Sequence, residues 1–204
     1  MEKQIIIALG REFGSGGHEA GEILAKKYGI PFLDHVLLQR IAEEKNIDLE
    51  ILERYDEKPK NKLFSRTVAG YSSALEEHVA NIQFDYIHKL ADEGKSFVIV
   101  GRCAEYILRG NPALLSVFVL GNKETKCARI MKKYGLTEEE AYRMMKRKDA
   151  TRKNYHNYYC DGKWGDSRNY DLCINSSNFG VEGVVGIIDD LVKRRMEGVG
   201  KERG

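Results

Sequence analysis

The apolar run Ile5-Ile6-Ile7-Ala8-Leu9 passes directly into Gly10-Arg11-Glu12-Phe13-Gly14-Ser15-Gly16-Gly17-His18, and helical spacing begins there. A buried strand running into a glycine-rich turn and then a helix gathers backbone N–H groups and the positive end of a helix dipole around one point, where an anion is favoured. The common phosphate-binding pattern G-x-x-x-x-G-K-[ST] places a lysine on the terminal phosphates and a hydroxyl on magnesium. When Ser15-Gly16-Gly17-His18 is laid on its last four positions, Gly16 matches, Gly17 replaces the lysine and His18 the hydroxyl, and Arg11 stands at the first glycine. Taken alone, the loop reads equally as a tight turn whose glycines serve only positive φ angles.

The rest of the chain decides between these readings. Four short apolar segments, Ile5–Leu9, Phe97–Val100, Val117–Leu120 and Leu172–Ile174, are uninterrupted where a half-exposed strand would alternate. They are strands buried on both faces, the mark of a parallel sheet covered by helices. Pro31-Phe32-Leu33-Asp34 is a fifth candidate, its proline suited to a strand's first residue.

Between the strands the spacing becomes helical. Ala20, Ile23, Leu24 and Tyr28 share a face, and Gly29 follows as a stop; Leu75, Val79, Ile82, Tyr86 and Leu90 make a second stripe closed by Gly94. Asn122 is placed to cap a helix running to Tyr134, Thr137 and Glu140 form a capping box, and Val181 to Val192 supplies a final amphipathic helix. The polar stretch Glu53–Lys62, with Pro59, is read as a loop.

This order predicts a doubly wound parallel five-stranded α/β sheet in one domain, residues 1–204, with two helical excursions at about residues 35–94 and 136–168. Ligands of such sheets sit outside the carboxyl ends of the strands. The informative residues are therefore Gly10 to His18, Asp34 and His35, Gly101-Arg102, and Asn175-Ser176-Ser177.

Composition narrows the function classes. The net charge of +2 gives no whole-chain signal for nucleic acid, but residues 143–153 hold six basic side chains against the single acid Asp149. An excess confined to one short insertion argues against a nucleic-acid groove, which would be wider. The aromatics Tyr155, Tyr158, Tyr159 and Trp164 nearby are read as sealing the insertion against its own domain. Cys103, Cys127, Cys160 and Cys173 are scattered without a C-x-x-C pair, as expected of reduced, mostly buried thiols. His156 and Cys160 are spaced to share a helix face, yet two ligands do not make a site, so no metal site is expected. The first apolar run is too short for a signal peptide core and no stretch approaches a membrane span, so a cytoplasmic location away from membranes is expected.

Arginines add what the loop alone lacks. Phosphoryl transfer needs positive charge on donor, acceptor and moving group, because little covalent work falls to the protein. Arg40 lies one and a half turns past Asp34, Arg102 ends a buried strand, and Arg147 and Arg152 sit in the basic excursion. A buried arginine without an anionic partner is costly, which marks Arg102 in particular.

With these residues in view the chain resembles the cytidylate kinase-like branch of the P-loop nucleoside monophosphate kinases. The carriers are G-R-E-F-G-S-G-G at 10–17, P-F-L-D at 31–34, V-I-V-G-R at 98–102, K-R-K-D-A-T-R at 146–152 and W-G-D-S-R-N-Y-D-L-C-I-N-S-S at 164–177, spanning nearly the whole chain. The resemblance implies transfer of the terminal phosphoryl of ATP, with Mg2+, to a nucleoside monophosphate, CMP or dCMP first among them. It implies that Gly10, Arg11, Gly14, Ser15, Gly16, Gly17 and His18 hold donor phosphates, that Asp34, Arg40 and Arg102 meet the acceptor, and that Arg102, Arg147 and Arg152 act on the moving group. The excursions become acceptor-binding helices and a lid. Two positions depart from the family: Cys103 stands where its G-R-D motif has aspartate, which bears on base choice, and Gly17 lacks the lysine. Arg11 or His18 is expected to replace that charge, and Glu12 either acts through magnesium or an arginine or turns away to pair with Arg11. The alternatives are a nucleotide-binding regulatory module with little or no transfer, and a kinase for another small molecule.

Overall fold

The computed structural model describes residues 3–34, 36–56 and 72–198. In chain order the elements are β1 (Ile6–Arg11), α1 (Gly17–Tyr28), β2 (Phe32–Leu33), α2 (Val36–Lys45), α3 (Leu49–Tyr55), α4 (Ser72–Asp92), β3 (Phe97–Val100), α5 (Ala104–Ile107), β4 (Leu114–Leu120), α6 (Lys123–Tyr134), α7 (Glu138–Tyr159), β5 (Leu172–Asn175) and α8 (Ser176–Glu197). The strands form one sheet in the order β2-β3-β1-β4-β5, every pair parallel. This is the doubly wound five-stranded α/β sheet expected, with β1 at its centre and all strand ends on one edge.

Burial on both faces explains the uninterrupted apolar runs. In β1, Ile6 and Ala8 join Leu37, Ile41, Ile87 and Ile99 on one side, while Ile7 and Leu9 join Leu24, Val98, Val184 and Ile188 on the other. Each such aliphatic side chain, fully withdrawn from water, contributes about 1.5–3 kcal/mol before chain entropy is set against it. Helices α2, α4 and α5 cover the first face; α1 and α8 cover the second.

Several boundaries differ from expectation for identifiable reasons. β2 ends at Leu33 because the Asp34 carboxylate accepts from Val36 N at 3.1 Å and so starts α2. β4 begins three residues before Val117; Ser116 interrupts the apolar pattern, but Asp171 accepts from both its backbone N–H (2.8 Å) and its hydroxyl (2.9 Å). The loop expected from Glu53 starts at Asp56 instead, since Asp48 accepts from Glu50 N and caps α3 through Tyr55. The remainder of that stretch from residue 57, with Pro59, lies outside the described residues, as do His35 and the Leu75 side chain.

Asn122 precedes α6 but does not cap it with its side chain, because its Oδ1 accepts from Asn175 Nδ2 at 2.9 Å and ties two strand-end loops together. The Thr137–Glu140 capping box is present and starts α7. α6 and α7 pack through Cys127, Ile130, Ala141 and Met145, with Phe13 of the glycine loop against them. Tyr155 and Tyr159 pack beside Cys103, Cys160 and Phe84, and Trp164 stands edge-on to Phe118, so these aromatics do seal the excursion onto the domain. Among the described residues no helix is long and apolar enough to cross a membrane.

Candidate active site

The glycine loop occupies the centre of the sheet's carboxyl edge. Gly14 (φ 82°) and Gly16 (φ 83°) are left-handed, which turns the chain from β1 into α1. Within the turn the Ser15 hydroxyl donates to Glu12 O at 2.8 Å, and Ser15 is fully buried. Gly17 has no room for a side chain: a Cβ there would lie 2.7 Å from Arg11 Cβ and 3.1 Å from Val119 Cβ. Glycine at the lysine position is thus a packing requirement of this loop.

Neither residue expected to replace the lysine turns its charge onto the loop. The Arg11 side chain leaves it and lays its Nη1 against Gly101 at the end of β3. His18 Nε2 is 3.0 Å from Asp34 Oδ2, with the ring edge-on to Phe32. The cations that do meet the loop come from α6 and were missed. Arg129 Nη1 donates to Ser15 O at 2.7 Å and reaches Gly14 O at 3.5 Å. Lys126, buried, donates to Glu12 Oε2 at 2.7 Å. Glu12 also accepts from Gly121 N at 3.1 Å, so its carboxylate ties the loop to Lys126 of α6 and to the end of β4. A signal existed in the chain: Lys126 lies in register with the apolar residues Cys127 and Ile130, an unusual place for a lysine unless it is paired.

The basic excursion is docked on the loop. Asp149 Oδ1 accepts from Phe13 N at 2.7 Å, and its Oδ2 lies 3.9 Å from Lys126. Burial pushes the Asp149 carboxyl up, against the lowering effects of the Phe13 N–H and Lys126. Arg152 stacks over Phe13 at 5.4 Å and reaches Arg11 O at 3.4 Å. Arg147, in contrast, is exposed on α7 and is not brought to this group.

At the end of β3 three successive residues, Gly101 (φ 82°), Arg102 (φ 58°) and Cys103 (φ 55°), are left-handed. For the two non-glycine residues such backbone costs about 1–3 kcal/mol each, and it is characteristic of functional turns. The guanidinium of Arg102, 6% exposed, is gripped by Asp56 at the end of α3: Nη1 by Oδ1, and Nη2 by Oδ2 at 2.8 Å. The anionic partner that a buried arginine demands is therefore supplied by the protein itself. Arg40 is half-buried on α2 and makes no ion pair with another described residue.

Arg11, Arg102 and Arg152 line one small cleft of about 20 Å³ at the start of the loop, together with Glu105, His156 and Tyr170. Glu105 Oε1 and His156 Nε2 are 2.7 Å apart and buried. Burial alone would lower the His156 pKa, but hydrogen bonds with Cys160 and Glu105 push it up. A hydrogen bond with Cys103, and then those with His156, bring the Cys160 thiol below the ordinary thiol range against the opposing effect of burial.

Three kinds of likeness to known proteins place the chain in a family and a fold. The model of the cytidylate kinase-like family matches residues 6–178. A cytidylate kinase from Methanococcus vannielii is 26% identical over 195 residues, covering 93% of this chain and all of that protein. A solved structure of an uncharacterized protein from Eubacterium ventriosum superposes with a TM-score of 0.74 at 41% identity, covering 93% of this chain and 99% of its own. A gluconokinase from Sinorhizobium meliloti shares the fold alone, with a TM-score of 0.53 at 12% identity over the full length of both chains. The chain belongs to the cytidylate kinase-like family, as a nucleoside monophosphate kinase-like enzyme on the P-loop kinase fold.

Proposed function

We propose that this enzyme transfers the terminal phosphoryl of ATP to a nucleoside monophosphate, CMP or dCMP before others. The observation that carries the reading is the convergence of Arg11, Arg102 and Arg152 on one cleft beside the glycine loop. Positive charge gathered from the glycine loop, the turn after β3 and α7 is what a migrating phosphoryl requires, and it has no use in a structural turn.

In this reading the backbone N–H groups from Gly14 to His18 hold the donor phosphates as a nest, a device that works without lysine. Arg129 braces that loop from outside and brings a cation to it. Asp34 and Arg40 meet the acceptor from the 35–94 helices, and Arg102 binds its phosphate in exchange for part of its grip on Asp56. Arg152, held at the loop by Phe13 and Arg11, covers the moving group as part of the 136–168 lid. Arg147 reaches the cleft only if the lid moves further. Exclusion of water by that lid limits idle hydrolysis of ATP.

Magnesium is bound in such enzymes largely by substrate phosphates and water, with one or two protein carboxylates. Glu12 is committed to Lys126 and Gly121 N and Asp34 to His18 and Val36 N, so the ion would be held chiefly by substrate phosphates and water, with Asp34 the carboxylate beside the start of α1. When bound, the ion supplies charge neutralisation on the phosphates.

A second reading, a nucleotide-binding module that does not transfer, is favoured by one observation, the occupation of Arg102 by Asp56. Coupled detection of ADP from ATP and magnesium across a panel of nucleoside monophosphates separates the two. Turnover is expected with CMP and dCMP above AMP, GMP and UMP. ATP binding without turnover on any acceptor would favour the module.

A further inference from the structure

Among the described residues one group of ligating side chains is left without a part in phosphoryl transfer, and it lies at the wall of the cleft. Single ligand atoms of Glu105, His156 and Cys160 all lie within 4.8 Å of one another, and all three residues are buried. Cys103, also buried, packs against Cys160 in the same side-chain cluster, just outside that group, and offers a second sulfur. The four come from two elements: Cys103 and Glu105 flank the start of α5 directly after Arg102, while His156 and Cys160 stand one turn apart at the end of α7.

An ion pair between His156 and Glu105 accounts for two of these residues. It does not account for two thiols brought against that pair from separate elements. Two sulfurs, an imidazole nitrogen and a carboxylate oxygen are a mixed donor set for a borderline-soft, four-coordinate divalent cation, and a poor one for the hard ions magnesium and calcium, which take oxygen ligands. Tetrahedral zinc, with bonds of roughly 2.0–2.3 Å, needs its donors about 3.3–3.8 Å apart. For Glu105, His156 and Cys160, whose ligand atoms lie within 4.8 Å of one another, that requires the 2.7 Å contact between His156 Nε2 and Glu105 Oε1 to open and the thiol to close by at most about 1 Å. The Cys103 sulfur must turn in from outside the group.

We propose that Cys103, Glu105, His156 and Cys160 form a structural zinc site that pins the end of the lid helix α7 to the strained turn carrying Arg102. The thiols bind as thiolates and His156 as the neutral imidazole, and all of them release their protons to solvent. One consequence is mechanical: the cation ties the left-handed turn at Arg102 and Cys103 to the helix that carries Arg152, and so sets two of the cleft's three arginines relative to each other. This inference is independent of which acceptor the enzyme uses.

Cobalt titration of the full chain, stripped with chelator and kept reduced, tests it without any nucleotide. The expected result is one Co2+ per chain, with a thiolate-to-cobalt charge-transfer band and the intense d–d bands of tetrahedral coordination. Stoichiometric Zn2+ should bleach both, and excess Mg2+ should leave them. Cys160→Ser should weaken cobalt binding at least tenfold. His156→Gln, which keeps a hydrogen-bonding side chain, should do the same if the serine variant folds poorly, and Cys173→Ser should bind as the parent does. Two results would overturn the proposal: no tetrahedral cobalt spectrum in protein whose four thiols titrate as free, or a spectrum that survives both Cys160→Ser and His156→Gln.

Discussion

Arg102 has two commitments, to Asp56 within the fold and, in the proposed mechanism, to the acceptor phosphate. Arg102→Ala is therefore expected to lower turnover at least tenfold, about 1.4 kcal/mol in the barrier. It is also expected to lower stability by about 1–3 kcal/mol, because the Asp56 carboxylate loses its charged partner. Steady-state kinetics and thermal melting of the same variant check both, and an unchanged rate would remove Arg102 from the site. Gly17 gives the opposite kind of test. Restoring the usual lysine should not restore a usual loop, since a Cβ at this position meets Arg11 Cβ at 2.7 Å. Gly17→Lys is expected to lower the melting temperature and to leave turnover no higher than the parent's; a faster enzyme would contradict the packing account. At this scale the chain was legible in part. Arg102 and Arg152 could be found because a strand end and a basic excursion named them. Lys126 left only the trace of a lysine in an apolar register, and Arg129 and Asp56 none, because their partners, Glu12, the Ser15 carbonyl and Arg102, are close only after the chain folds.

Helices α1 and α8 are joined by a buried acid. Asp189 accepts from Tyr28 Oη at 2.7 Å and pairs with Lys27 at 2.8 Å and Lys193 at 2.6 Å. Burial alone would raise its pKa, but hydrogen bonds from Lys193, Lys27 and Tyr28 together hold it well below the usual carboxylate range. A depressed folded-state pKa stabilises the fold above the unfolded value of about 4 and loses that contribution as pH falls through the folded value. Melting curves from pH 7 down to pH 3 should show the parent losing stability more steeply than Asp189→Asn, which starts lower at neutral pH. Parallel slopes would mean that Asp189 contributes nothing through its charge. Elements were the most legible scale of all, because burial on both faces writes an unbroken apolar run. The exceptions were polar: Ser116 hid three residues of β4, and the Asp34 carboxylate shortened β2 to start a helix.

Over the whole molecule, the sheet order brings the glycine loop of β1, the strained turn after β3 and the end of α7 to one edge, and the proposed function rests on that meeting. The sequence carried each part in order, but not the direction in which Arg11 would reach. It was expected to serve the donor loop; its side chain crosses to Gly101 and lines the cleft with Arg102 and Arg152. Nor could spacing reveal that Cys103 and Glu105 would face His156 and Cys160 across 50 residues and more of intervening chain. The central claim is that this cleft moves a phosphoryl group between two nucleotides. Terminally labelled ATP, incubated with magnesium and CMP, tests it most directly when the labelled products are separated. Label is expected in CDP, appearing at least tenfold more slowly with Arg152→Ala at an unchanged melting temperature. Label found only in ATP or inorganic phosphate with every nucleoside monophosphate tried, while ATP still binds, would contradict it.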